Sequence, residues 1–148
     1  MDANFPERPQ IGLLLRLVYQ HYAQDIDATL HEAGFGDIRP AHANVFPFVP
    51  PDGISVSALA ELARVRKQTM AQAVEELERM GYVERRPNPH DRRSRLVFLT
   101  ERGAAVRPVS HATAARVEAR WAELTSPEEL EALRGTLLRL LTGLRAED

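Results

Sequence analysis

Between Ile54 and Gly103 two helical periods, a break between them and two strand-like runs follow in close succession. Few folds accommodate that order in fifty residues or so. Ser55 or Ser57 can cap a helix start, because a short hydroxyl accepts from an orphan backbone N–H. Leu59 and Leu62 supply one apolar stripe, and Ala60 and Ala63 are small enough to let a second helix approach. Arg64-Val65 breaks the pattern. A new period runs through Met70, Ala73, Val74, Leu77 and Met80. Two helices joined by so short a turn have the geometry in which the second can enter a major groove. Its exposed residues are Arg66, Lys67, Gln68, Thr69 and Gln72, all able to bond to phosphates or base edges. Arg can pair bidentately with guanine and Gln with adenine. The acids Glu75, Glu76 and Glu78 come later, where such a helix leaves the groove. Taken alone, these residues also fit an ordinary amphipathic helix with a solvated polar face.

The next segment favours the first reading. Gly81 fits a helix C-terminus, since it takes a left-handed conformation without a Cβ penalty. Tyr82–Arg86 and Leu96–Leu99 are enriched in aliphatic and aromatic residues, as strands are. Pro87–Arg95 lies between them, and Pro87, Asn88 and Pro89 argue for an irregular loop. Arg92, Arg93 and Arg95 crowd its end. Like charges this close repel, so folding alone does not favour the cluster, whereas a phosphate backbone does. Asp91, two residues before Arg93, can hold that guanidinium in one pose by a charge-assisted pair. An oriented Arg on a thin loop suits a narrow minor groove. The bland alternative is a solvated basic hairpin.

From Leu59 to Gly103 the chain resembles the multiple-antibiotic-resistance regulator (MarR) family of bacterial transcription factors. The resemblance runs through LAELARV, LERMGYVERR and NPHDRRSRLVFLTERG. The family's wing signature, an Asp-x-Arg, a strand ending Leu-Thr and a helix opening with Gly, falls on Asp91, Arg93, Leu99, Thr100 and Gly103. The resemblance implies an obligate homodimer, a helical dimer interface built from both termini, and an effector cleft between that interface and the DNA-binding lobe. Two positions depart from the pattern. Arg64 stands where the family usually has a turn Gly, and Arg66 where it often has a capping Ser.

Net charge argues less clearly. The chain carries a formal −2, yet residues 64–95 hold nine basic and five acidic side chains, a local +4, so the remainder carries −6. A basic face on an acidic body orients a protein on DNA and limits sticking elsewhere. The chain has no Cys, which excludes disulfides and a thiol switch. The start MDANFPERPQ lacks a basic n-region and an apolar run, so no secretory signal is expected. Arg16 interrupts the longest apolar stretch, and no membrane span is expected. The expected location is cytoplasmic.

The flanks read as helices. Residues 1–10 form an extended arm or a frayed terminus. Residues 11–33 carry Ile11, Leu14, Leu15, Val18, Tyr22, Ile26 and Leu30 on one face, with Leu13 and Leu17 offset, and Gly34 ends the helix. Two strips suggest contact with both the body and a partner. Arg16, Tyr19, His21 and Tyr22 are candidates for lining an effector cleft, although a lone His is more often a satisfied surface or core residue. A short helix starts near Pro40 and reaches Val45 or Phe46, where Pro47 ends or kinks it. Val45, Phe46, Phe48 and Val49 should fill the space beneath the reading helices. Pro50–Gly53 is a turn, and Ile54 can pair with the wing. Residues 101–124 form a helix capped by Thr100, with a small-residue face (Ala104, Ala105, Val109, Ala112, Ala115, Ala119, Ala122) and a kink or fresh start at Pro108. Ser126, Pro127 and Glu129 open the last helix as a capping box. Leu130, Leu133, Leu137, Leu140, Leu141 and Leu144 follow near a heptad seam.

No nucleophile elbow, glycine-rich phosphate loop or His/Cys cluster at metal spacing is present, so neither an enzyme nor a cofactor or metal site is expected. The expected fold is mainly α (α+β), a winged helix-turn-helix whose N- and C-terminal helices form a dimerisation domain. Its divisions are 1–34 for the arm and first dimerisation helix, 35–100 for the DNA-binding domain and 101–148 for the C-terminal dimerisation helices. The expected function is sequence-specific binding of double-stranded DNA by a ligand-responsive homodimeric repressor with a small-molecule effector. The alternative is a winged-helix module for protein assembly or non-sequence-specific DNA binding.

Overall fold

The computed structural model describes residues 5–147. Its elements in chain order are α1 (Ile11–Glu32), a 3-10 turn (Pro40–Asn44), α2 (Val56–Ala63), α3 (Lys67–Arg79), β1 (Val83–Asn88), β2 (Asp91–Leu99), α4 (Glu101–Ala104), α5 (Val106–Leu124) and α6 (Pro127–Ala146). The molecule is mostly helical, with one antiparallel two-stranded sheet, the winged helix expected from the order of periods. The described residues fall into two compact units, divided between His111 and Ala112. The expected arm begins at residues outside the described range, and 5–10 carry neither helix nor strand.

The core of the first unit gathers around α2 and α3. Leu59 and Ala60 from α2 meet Met70, Ala73, Val74 and Leu77 from α3, with Val45, Phe46 and Val49 in the same cluster. Of the two possible caps it is Ser55 that accepts from the Ala58 N–H, at 3.2 Å. The turn after α2 closes although it lacks glycine. Arg64 takes the left-handed conformation at φ 55°, while the Val65 N–H reaches Ala60 O at 3.0 Å. A side chain there costs roughly 1–2 kcal/mol of steric strain, which the packed helix pair on either side sustains. Glycine does end α3. Gly81 sits at φ 80°, and the Tyr82 N–H bonds to Leu77 O at 2.9 Å.

The wing is longer than the residue pattern indicates. Pro87 and the arginines were expected in an irregular loop, but β1 runs to Asn88 and β2 begins at Asp91. Pro87 pairs with Arg95 inside the ladder. Val97 exchanges both its backbone bonds with Ile54, so its pair with Arg85 makes none. Bonded and non-bonded pairs alternate in an antiparallel ladder. Pro87, two residues on, therefore needs no N–H toward β2, and its missing donor faces the open edge. A register shift between Pro87 and Asn88 then bends the tip. The Ile54 bridge to the wing matches expectation.

Three flanking elements differ from the expected ones. The short helix after Pro40 is a 3-10 turn ending at Asn44, with i→i+3 bonds from His42 to Arg39 and from Val45 to His42. Proline at both ends leaves too few residues for an α-helical ladder. The helix after Thr100 restarts at Val106, earlier than Pro108, which then lies harmlessly in the first turn of α5. The alanine face of this segment is not the buried one. Ala104, Ala105, Ala112, Ala115 and Ala119 are exposed, whereas Val106, Thr113 and Val117 are buried. Larger side chains gain more by leaving water than alanine does, so they set the inward face.

Gly103 is demanded by close approach. A Cβ there would lie 1.9 Å from the Tyr82 carbonyl oxygen. Arg107 closes the loop under α3, its guanidinium donating to Phe46 O at 2.9 and 2.7 Å and to Val49 O.

The outer helices leave apolar surface uncovered. On α1 only Leu30 is buried, and Ile11 is 73% exposed, with Leu14, Leu15 and Val18 also open. Ser126 caps α6, accepting from the Glu129 N–H at 3.1 Å, and Arg134 reaches back to Glu118 of α5 at 2.6 Å. No described residue of α6 is buried. Leu133, Leu137, Leu140, Leu141 and Leu144 face solvent, and Leu138 is 62% exposed. Among the described residues no helix is long and apolar enough to cross a membrane.

Candidate nucleic-acid interface

The N-terminal half of α3 presents one polar face. Arg66, Lys67, Gln68, Thr69 and Gln72 are all exposed, while Met70, Ala73 and Val74 anchor the opposite side. Arg66 caps the helix by backbone only. The first-turn N–H groups and the positive end of the helix dipole are thus free of a side-chain cap, as suits a phosphate.

The wing carries the second set. Arg92 and Arg93 are exposed and take no ion-pair partner among the described residues. Asp91 does not pair with the Arg93 guanidinium as expected. Its Oδ1 accepts from the Arg93 backbone N–H at 3.0 Å. The carboxylate is engaged by the backbone N–H, so it steadies the main chain of the tip and leaves the guanidinium exposed. Asn88 acts similarly, its Oδ1 accepting from the His90 N–H at 3.0 Å and its Nδ2 donating to Ser94 Oγ at 3.1 Å. Arg95 is partly committed. Its Nη2 donates to Arg85 O at 2.8 Å, across the ladder.

Contacts that the residue order did not reveal fix the wing to α3. Glu78 takes the Arg85 side chain at 2.7 Å and the Arg85 N–H at 3.1 Å. The guanidinium holds the Glu78 carboxyl below its usual range. Arg86 pairs with Glu84 and lies 4.5 Å over the Phe98 ring. Glu75, Glu76 and Glu78 were expected where the helix leaves the groove; Glu76 and Glu78 also serve as structural anchors.

A polar network lies on the α3 flank opposite the wing contact. His42 is 1% exposed, and its Nε2 stands 2.6 Å from Glu76 Oε2. Its Nδ1 accepts from the Arg39 N–H at 3.0 Å. Arg39 Nη2 meets the same Glu76 oxygen at 2.6 Å, and Gln72 Nε2 donates to Glu76 Oε1 at 3.3 Å. Chiefly through the His42 bond, then through Arg39, the Glu76 carboxyl is pulled down to about 2. Nearby, the buried Tyr82 hydroxyl donates to Asp37, and the Arg102 guanidinium sits 4.1 Å over the Tyr82 ring. Burial first, then the Asp37 carboxylate, pushes the Tyr82 hydroxyl up to about 12, and the same bond lowers Asp37. A recess of about 360 Å³ opens here, lined by Asp37, Arg39, His42, Glu76, Arg79 and Met80. Nothing in the local sequence around Asp37 or His42 signals it, because its parts come from segments far apart in the chain.

The four cleft candidates on α1 are placed elsewhere. Tyr19 and Tyr22 stack at 6.1 Å between centroids, and Arg16, Tyr19 and His21 are exposed. None of them lines the recess. No group of three or more His, Asp or Glu side chains among the described residues could hold a metal ion.

Comparisons with known proteins bear on the family and the fold. Residues 49–94 match the MarR family. A probable transcriptional regulator from Pseudomonas aeruginosa is similar at 30% identity, with a TM-score of 0.72, covering 88% of this chain and 96% of that one. The reduced form of MarR from E. coli is similar at 26% identity and a TM-score of 0.76, covering 92% of this chain and 99% of that one. An uncharacterised protein of Mycobacterium tuberculosis is 33% identical over 94 residues, which span 64% of this chain and 66% of the relative's own length.

Proposed function

The chain belongs to the MarR family of transcriptional regulators, and from that we propose that it is a homodimeric, sequence-specific DNA-binding repressor that acts in the cytoplasm and responds to a small molecule. The single observation that carries the reading is the presence of two exposed cationic surfaces on one compact unit. The α3 face of Arg66, Lys67, Gln68, Thr69 and Gln72 and the tip arginines Arg92 and Arg93 are exposed, and the Glu78–Arg85 clamp joins their supports. In this proposal α3 enters a major groove and Arg93 the flanking minor groove. Arg95 and Asp91 shape the tip that carries them.

In this proposal the exposed leucines of α6 and the open face of α1 each pack on a partner copy, so that 1–34 and 101–148 make the dimerisation part and 35–100 the DNA-binding part. Two-fold pairing implies a pseudo-palindromic site with half-sites about one turn, roughly 10 bp, apart. An effector at the α1 side chains Arg16, Tyr19, His21 and Tyr22 would act by binding the DNA-incompetent spacing of the two heads more tightly than the competent one. Such a regulator needs no enzymatic activity.

The test uses the DNA flanking the protein's own coding region, searched for an inverted repeat. A duplex carrying the repeat should be bound in preference to a scrambled duplex, and the preference should persist as salt rises. Equal affinity for both, lost together with salt, marks a non-specific binder instead.

A further inference from the structure

We propose that His42 is a positioning residue for base reading: through Glu76 it holds the Gln72 amide in the pose that meets a base edge. This rests on the proposed role of α3. The Arg39 backbone N–H can only donate, and it points at His42 Nδ1 at 3.0 Å. The ring proton therefore belongs on Nε2, which faces Glu76 Oε2 at 2.6 Å. His42 belongs to the 3-10 turn, and its ring is buried with both nitrogens engaged. Glu76 is thereby held on one side, with Arg39 bonded to the same oxygen.

Its second oxygen, Oε1, faces Gln72 Nε2 at 3.3 Å, one helical turn earlier. A carboxylate only accepts, so the Gln72 nitrogen must be the end turned toward it. One N–H and the carbonyl oxygen of Gln72 are left for an outside partner, and Gln72 is exposed. That donor–acceptor pair is the one adenine takes in the major groove. Glutamate and glutamine side chains otherwise lose much rotamer freedom on docking. Anchoring them from a buried histidine removes part of that loss before DNA arrives. A surface Gln lacking the relay would read the same base with less discrimination.

The experiment uses the full chain and a random-sequence duplex pool, selected in parallel by wild type, Gln72→Ala, His42→Leu, His42→Gln and Glu76→Ala. Wild type should enrich one site, and Gln72→Ala should relax it at one base-pair position per half-site. His42→Leu and Glu76→Ala should relax that same position, lowering discrimination there roughly tenfold, without loss of affinity for the unselected pool. His42→Gln, which offers a donor and an acceptor at similar reach, should restore it. Should His42→Leu fail to melt cooperatively, Glu76→Ala, at a half-buried site, decides the matter by the same readout. Wild-type discrimination in Glu76→Ala, or an equal loss at every position and on the unselected pool, overturns the inference while leaving the regulator reading intact. A wild-type protein that enriches no site overturns both.

Discussion

Arg93 is exposed at the wing tip while its own backbone is pinned by Asp91. That combination, a free guanidinium on a steadied main chain, suits insertion into a groove. Arg93→Ala should weaken operator binding by roughly 1–3 kcal/mol, read by gel shift, with an unchanged melting curve. No loss of affinity would remove the wing from the interface. Gly103 makes the opposite case, a residue whose side chain must be absent. The Tyr82 carbonyl occupies the place a Cβ would take. Gly103→Ala must push α4 off the α3–β1 junction and should cost about 1–3 kcal/mol in chemical denaturation. Glu76 links stability to pH. Its carboxyl lies near 2 in the folded chain against 4.5 ordinarily, so the contribution is full above about pH 4.5 and drains as pH falls toward 2. Stability measured down that range should fall less steeply in Glu76→Gln than in wild type; identical slopes would deny the network this role.

The elements owe their ends to different devices. Glycine at φ 80° ends α3, whereas α2 ends on an arginine in the same left-handed region. Gly81→Ala should therefore lower stability by roughly 1–2 kcal/mol, visible as a drop in Tm. Periods of 3.6 made α2 and α3 legible, since Leu59, Met70, Val74 and Leu77 could be placed inward from spacing alone. The wing was legible in kind but not in length. Proline at position 87 argues for a loop until the ladder's bonding parity is known, and parity depends on Ile54 pairing with Val97. Within the single chain the alanine face after Thr100 stays largely open, because small residues permit close packing without requiring it, and Val106, Thr113 and Val117 are buried.

Exposed leucines along α6, with Ile11, Leu14, Leu15 and Val18 on α1, are more apolar surface than an isolated chain gains by showing to water. Pairing with a second copy would cover it. Leu137→Glu combined with Leu141→Glu should yield a monomer by light scattering. Operator affinity should then fall by about 10²-fold or more, since the two heads no longer bind as one. A dimer of undiminished mass would move the interface off α6.

What the amino-acid order determined by itself was periodic or local: the helix pair and its inward face, the capping serines, the basic hairpin and the family signature from Asp91 to Gly103. These are read from neighbours within a turn or two, because backbone geometry repeats at fixed intervals. What only the tertiary structure decided was long-range: that Glu76 meets His42 and Arg39, that Glu78 holds Arg85, that Tyr82 lies between Asp37 and Arg102. Hydrogen bonds and ion pairs carry no period along a chain. Their partners are chosen by where the packed core delivers them, and that is settled only once the helices have closed on one another.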